Sequence, residues 1–263
     1  MRGFAFALAI SFAAASGAAG AAPKRVASLN LCTDELLLLL AGKGQVVSVT
    51  HLSQDPAETP LWRRARLHPR NDGSLAPVAA LRPDLVLTMG GGARDRAGIA
   101  RRLGIHLLDL PYPRTLADIA ANAETVASAL GRPEAARPAV DALKRLEKTV
   151  PQRRIDTIWV GGGGRTVAAD SLAAQWMALA GLRQRALAGD QISLEELLVR
   201  PPALILRSDY RAGQYSSGQR WLSHPLVARA RRARTLATDG RLWTCMGPLL
   251  APEIERLRRE LGR

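Results

Sequence analysis

The chain has 263 residues, 47% hydrophobic and 23% charged, an ordinary globular composition that excludes a disordered chain, a collagen-like chain and a small disulfide scaffold. Lysine and arginine outnumber the acids 37 to 23, for a net charge of +14, and such a field favours an anionic partner: nucleic acid, membrane surface or small anion. Two cysteines are enough for one bridge and too few for a framework.

Met1-Arg2 is a short basic start, Phe4 to Ala15 an apolar run, and Ser16 to Ala22 a series of small residues before Pro23. This layout predicts a secretory signal peptide over 1–21, cut after Ala21. The apolar run is too short to span a membrane, and no later stretch reaches about 18 uninterrupted apolar residues. Loss of Arg2 with the signal leaves a charge of +13. Export argues against nucleic acid as the partner and permits a disulfide.

Arg25 to Leu29 predicts a strand, followed by a leucine-rich helix to Ala41, with Thr33 or Asp34 as its cap and Gly42 at its end. Gln45 to Thr50 predicts a second strand, and His51 to Gly73 a long loop with at most a helical turn. A strand over Asp84 to Met89 runs into Gly90-Gly91-Gly92, then come a helix over Ala93 to Leu103 and a strand over His106 to Leu110. Strands alternating with helices at short intervals predict parallel α/β layers. Two helices follow without a strand between them: Thr115 to Leu130, closed by Gly131, and Pro133 to Val150, with a possible kink at Pro138. Strands resume at Thr157 to Val160, Leu204 to Arg207, Thr235 to Ala237 and Leu242 to Cys245, and a last helix covers Leu249 to Leu261.

An internal repeat relates the halves. Ser74-Leu75, Pro83 and Leu85-Val86-Leu87 recur as Ser193-Leu194, Pro202 and Leu204-Ile205-Leu206, each 119 residues on. Both copies read as a short capped helix, a proline that stops it and a buried strand, which points to duplicated topology.

Several segments carry a family likeness: Arg25-Val26-Ala27-Ser28-Leu29-Asn30 leading into a helix, Leu81-Arg82-Pro83-Asp84-Leu85-Val86, Leu103-Gly104-Ile105, Leu130-Gly131, and Ile192-Ser193-Leu194-Glu195-Glu196. In this order, after a signal peptide, they resemble the periplasmic substrate-binding proteins of ABC importers for iron-siderophores, haem and vitamin B12. The resemblance covers essentially the whole mature chain. It implies an α/β fold of two Rossmann-like lobes joined by one long rigid helix, with a ligand cleft between them. The divisions would be 22–131 for the N-terminal lobe, 132–151 for the connecting helix and 152–263 for the C-terminal lobe. It further implies a monomer that carries a small-molecule metal complex, iron- or cobalt-containing and organic, to the membrane subunits of an importer.

Ligands of open α/β sheets lie beyond the carboxyl ends of the strands. The aromatic residues Tyr112, Tyr210, Tyr215, Trp62 and Trp243 near those ends suit a planar ligand, and Arg94, Arg165 and Arg207 suit its carboxylates. Thr33 and His51 belong to the same candidate surface. His51 and His68 lack partners at metal-ligand spacing, so no protein-held metal is expected, although an axial contact from His51 to haem iron is open. Cys32 and Cys245 admit three readings: a disulfide, two thiolates facing the ligand, or two unpaired structural cysteines. Gly161 to Gly164 lacks the spacing of a phosphate loop, and Arg165 to Ala168 reads as the second strand of a tight hairpin. No nucleophile elbow or other catalytic set emerges, which leaves an exported hydrolase-like enzyme and a bare-metal-ion carrier as the alternatives to a binding protein. The resemblance also implies an acidic docking residue on each lobe. Glu195 holds that position in the second half. In the first half the equivalent is Ala76, with Asp72 the nearest acid.

Overall fold

The computed structural model describes residues 22–92, 94, 96–161, 165–209 and 233–262. Its strands form two separate sheets. The first contains β1 (Val26–Ser28), β2 (Val46–Thr50), β3 (Arg70–Asn71), β4 (Leu85–Met89) and β5 (His106–Leu110), in the order β3-β2-β1-β4-β5. The second contains β6 (Ile155–Val160), β7 (Leu182–Gln184), β8 (Leu204–Asp209) and β9 (Arg234–Asp239), in the order β7-β6-β8-β9. Every pairing is parallel. A parallel strand covered on both faces needs apolar residues without alternation, and in β4 all five positions of Leu-Val-Leu-Thr-Met are buried.

The helices are α1 (Leu31–Leu40), α2 (Trp62–Ala65), α3 (Leu75–Ala79), α4 (Ala97–Arg102), α5 (Leu116–Ala129), α6 (Arg137–Lys148), α7 (Leu172–Leu179), α8 (Leu194–Val199), α9 (Leu242–Cys245) and α10 (Leu250–Glu260). The cap of α1 is Asn30, whose side-chain oxygen accepts from the Cys32 N–H at 2.9 Å, and not Thr33 or Asp34. Thr33 is fully buried inside the helix, its hydroxyl 2.7 Å from that of Ser28 and 3.0 Å from the Asn30 carbonyl oxygen. Thr115 and Asp118 form a reciprocal capping box at the start of α5, and Gly131, at φ +70°, ends that helix where a side chain would be strained.

α5 and α6 decide how the lobes are held. Residues Leu116 and Ile119 at the start of α5 pack in the core of the second lobe, while Ala123, Val126 and Ala127 further along pack in the first. α6 crosses in the opposite sense: Val140 belongs to the first core, Leu143 and Leu146 to the second. The pair thus contributes to both cores, and burying each of these leucines is worth about 1.5–3 kcal/mol, so lobe separation meets resistance at its base. The expected break near Pro138 is a change from a 3₁₀ turn, Pro133–Ala136, to the α-helix, with Pro138 in the first turn, where its missing N–H is harmless.

The duplicated unit is visible in three dimensions. Without β3, the orders 2-1-4-5 and 7-6-8-9 coincide, and the α3–β4 and α8–β8 units, 119 residues apart, occupy the same place in each. Elsewhere the structure corrects the sequence reading. Leu242 to Cys245 is the helical turn α9 and not a strand, because a four-residue apolar run carries no period that separates the two. Arg165 to Ala168 is no hairpin strand: Arg165 makes a single antiparallel bridge to Gln191, and the Thr166 hydroxyl and amide bond to Trp159 and Asp190 instead. Leu182–Gln184 is an edge strand that its arginine and glutamine disguised, and the long loop of 51–73 holds a 3₁₀ turn, α2 and β3. α4 starts at Ala97, later than expected. Among the described residues no helix is long and apolar enough to cross a membrane.

Candidate functional site: the cleft between the lobes

The lobes meet through the segments that follow their strands. Cys32, just after β1, is joined by a disulfide to Cys245 of α9, with Cα atoms 5.2 Å apart. Arg241, just after β9, forms a two-point ion pair with Asp239 and donates 2.8 Å from Nη1 to the carbonyl oxygen of Pro56, in the loop after β2. Gln175 of α7 bonds to the backbone of Arg114 and Leu116. The carboxyl ends of both sheets therefore border the same cleft, where open α/β sheets hold their ligands.

On the first lobe, the end of β4 builds a platform. Gly90 has φ +72° and Gly91 φ +88°. The ring of Tyr112 lies on Gly90 in the space a Cβ would take, and the side chain of Arg94 runs alongside Gly91. Tyr112 and Arg94, 18 positions apart in sequence, thus lie against consecutive glycines. Tyr112 is 61% exposed; its backbone is fixed between two prolines, and the Pro111 carbonyl oxygen accepts from the Asn122 side chain at 3.1 Å. An exposed ring and an exposed guanidinium at one strand end offer stacking and carboxylate pairing. The sequence places this glycine run among the strand-end segments that line the cleft, but does not show its role as the floor under Tyr112 and Arg94.

His51 is exposed at the end of β2, its Nδ1 3.3 Å from the Asn71 carbonyl oxygen. Behind it, Asp34 is wholly buried, accepting from the Thr50 amide and from the Thr50 hydroxyl. Burial pushes its pKa up to about 7 against the pull of those donors. The neighbouring Glu35 accepts from the Thr59 hydroxyl at 2.7 Å and is likewise pushed up to about 7 by burial. These two carboxyls tie the loop after β2 to α1.

On the second lobe, the residues singled out in the sequence scatter. Trp243 is only 5% exposed; its Nε1 donates to Thr238, which donates in turn to Glu253, so it belongs to the core and not to the cleft surface. In front of it stands Trp159 of β6, ring centroids 6.1 Å apart, half-buried and lying over Gly161. The Trp159 Nε1 is buried and finds no acceptor among the described residues. Trp159 is the cleft-end aromatic that the sequence reading passed over; a tryptophan two residues before a glycine run was the available signal. Arg165 is exposed, and its carbonyl oxygen receives the Gly161 amide. Arg207 is half-buried within β8 and not beyond its end. Tyr210 and Tyr215 lie outside the described residues.

The remaining candidates fall elsewhere. The ring of Trp62 on α2 is covered by the guanidiniums of Arg63 and Arg66, at 4.3 and 4.5 Å, which already use its π surface. Thr33 is buried and reaches no surface. Cys32 and Cys245 are bonded to each other, so neither presents a thiolate to a ligand. Glu195 is exposed on α8, while Glu196 beside it pairs with Arg185 and Arg200, which hold its carboxyl below the usual range. Asp72 is exposed and accepts from the Ser74 amide and hydroxyl, which lower its pKa. Among the described residues no three His, Cys, Asp or Glu side chains gather as a metal site. A cavity of about 20 Å³ lies beneath the disulfide; it holds about one water molecule and no organic complex.

Comparison with known proteins agrees with this geometry. The family model for periplasmic binding proteins matches residues 26–234. No curated protein sequence matches the chain. Among solved structures, the chain is similar to the vitamin B12 binding protein BtuF of Vibrio cholerae (19% identity, 91% of this chain and 97% of that one, TM-score 0.64). It is also similar to the haem binding protein HutB of Vibrio cholerae (17% identity, 90% and 98%, TM-score 0.70). A third is the siderophore binding protein BauB, whose structure holds acinetobactin and ferric iron (14% identity, 90% and 92%, TM-score 0.67). At these identities the likeness is one of fold, and the family model carries the assignment: the chain belongs to the periplasmic binding protein family and is a binding protein, not an enzyme.

Proposed function

We propose that this chain is the periplasmic substrate-binding component of an ABC importer, which captures an organic metal complex and delivers it to the membrane subunits. The complex is a ferric siderophore, haem or cobalamin, and the protein works as a monomer released from its signal peptide near Ala21. On this reading the lobes would span 22–131 and 152–263, with a connecting helix over 132–151. The observation that carries this reading is the platform at the mouth of the first lobe: Tyr112 on Gly90 and Arg94 beside Gly91, at strand ends that face the second lobe. A ring and a guanidinium carried on consecutive glycines of one strand end suit a flat ligand with carboxylates. The structural neighbours named for B12, haem and a ferric siderophore share the fold. The excess of base over acid suits an anionic ligand and electrostatic steering.

The test is a titration of the purified protein with haem, cobalamin and several ferric siderophores, followed by quenching of tryptophan fluorescence. One of them is expected to bind without turnover, and to bind more weakly as salt is raised. Failure of all three classes, or turnover of any of them, overturns the reading; tight binding of a bare divalent cation favours the ion-carrier alternative.

A further inference from the structure

The strongest tie across the cleft is also the most chemically adjustable. Cys32 lies in the first turn of α1, and Cys245 ends α9; they are 213 residues apart and belong to different lobes. Cys32 is half-buried and Cys245 only 9% exposed. Both line the water-sized cavity at the lobe boundary, with Glu35, Leu36, Met89 and Asn122 among the other walls. Glu35 is one turn after Cys32 on the same face of α1, and it is the only carboxyl among the residues that line the cavity. Asp34, buried on the other side of that turn, adds negative charge nearby and helps keep the Glu35 proton in place near neutral pH.

A disulfide between lobes, a half-buried cysteine in the first turn of a helix and a buried acid lining one cavity are the parts of a thiol–disulfide exchange site. We propose that Cys32–Cys245 is an exchangeable clasp, opened by a dithiol reductant, with Glu35 supplying the proton to the departing sulfur of Cys245. A thiolate of the dithiol attacks Sγ of Cys32, the more exposed partner. The S–S bond breaks, its electron pair passes to Sγ of Cys245, and Glu35 protonates that sulfur. The second thiol of the reductant, its proton lost to solvent, then attacks its own partner sulfur in the mixed disulfide. Cys32 leaves as a thiolate, favoured by the positive end of the α1 dipole, and Glu35 recovers a proton from solvent. Two electrons pass from the dithiol to the protein, and the dithiol ends as a disulfide.

Among the described residues, opening this bond leaves the Arg241 contact with Pro56, the Gln175 bonds to Arg114 and Leu116, and the α5–α6 pair to hold the lobes. The reduced protein therefore opens wider and exchanges ligand faster; this last consequence rests on the proposed function, whereas the exchange chemistry does not.

The experiment treats the purified full chain with dithiothreitol under native conditions and counts free thiols by mass over time. Wild type is expected to be reduced much faster than it unfolds. Glu35→Gln, which keeps an acceptor for Thr59 and cannot give up a proton, is expected to be reduced about tenfold more slowly at neutral pH. X-ray scattering and hydrogen exchange on the reduced protein and on a Cys32→Ser/Cys245→Ser variant are expected to show a larger radius and faster exchange in 31–40 and 242–248. Reduction no faster than unfolding, an unchanged rate in Glu35→Gln, or identical scattering and exchange in bridged and unbridged protein overturns the proposal. None of these readouts needs a ligand, so failure of haem, cobalamin and siderophore binding would sink the importer reading and leave the clasp standing.

Discussion

The two lobes share one topology and are stabilised by different means. In the second lobe, charges pair at the surface: Arg185 bridges Asp156 and Glu196, and Arg200 also reaches Glu196. In the first, α1 instead holds two buried carboxyls, Asp34 and Glu35, satisfied by the hydroxyls of Thr50 and Thr59. The difference follows from placement. Asp34 and Glu35 are buried on α1 against β2 and the loop after it, where threonine hydroxyls meet them, whereas Asp156 and Glu196 lie near an edge strand that Arg185 closely follows. One copy of the duplicated fold thus gained a rigid ionic edge and the other a proton-sensitive anchor under the loop that carries His51.

The contrast can be broken most strongly at Arg185. Its side chain is 19% exposed, so Arg185→Leu leaves the partly buried Asp156 and Glu196 only their more exposed partners, Arg183 and Arg200, and is expected to cost about 2 kcal/mol of stability; denaturant unfolding measures it, and a cost below about 0.5 kcal/mol would make the network ornamental. Next is the platform of the first lobe. Gly90→Ala puts a Cβ where the Tyr112 ring lies and forces a left-handed backbone on alanine, for about 1–2 kcal/mol of stability and about tenfold or more in ligand affinity. Tyr112→Ala should lose the same affinity at unchanged stability, and equal stability losses in both would deny the platform its role.

The third test sharpens the carboxyl side. Burial raises the folded pKa of Glu35 to about 7, while the unfolded chain releases this proton near 4.5. Its contribution is therefore complete below that lower value and is lost as pH rises through about 7. Glu35→Gln is expected to be more stable than wild type by about 1–2 kcal/mol near pH 8 and equal to it near pH 4; thermal unfolding across pH checks this, and parallel curves would remove the buried charge from the account. The smallest effect is expected at Glu195, which is exposed and, unlike Glu196, is not one of the carboxylates that Arg185 and Arg200 pair with among the described residues. Glu195→Gln should leave stability and ligand affinity within about 0.5 kcal/mol and impair transport by the reconstituted importer, and Ala76→Glu should supply the acid that the first lobe lacks. Normal transport by Glu195→Gln would reduce that residue to a helix-start acid.

The local pattern of the chain was legible where one residue type leaves one option. The continuous apolar run of β4, the glycine after α5, the proline-stopped units 119 residues apart and the pause of two helices between strand-rich halves all needed only nearest neighbours to be read. Family resemblance followed from their order. The short segments were not legible: Leu-Trp-Thr-Cys can be strand or turn until the core behind Trp243 draws its ring inward.

What the sequence determined by itself was the two-lobed α/β architecture, because hydrophobic spacing and turn residues act over a few positions. Tertiary structure alone decided the site. It set Tyr112 on Gly90 and Arg94 beside Gly91, buried Thr33 and Trp243, covered Trp62 with its own arginines, and brought Cys32 within bonding distance of Cys245. Residue types at strand ends reveal which groups are available; which of them share a surface depends on the packing of two sheets and a helix pair, and that is a property of contacts between residues far apart in the chain.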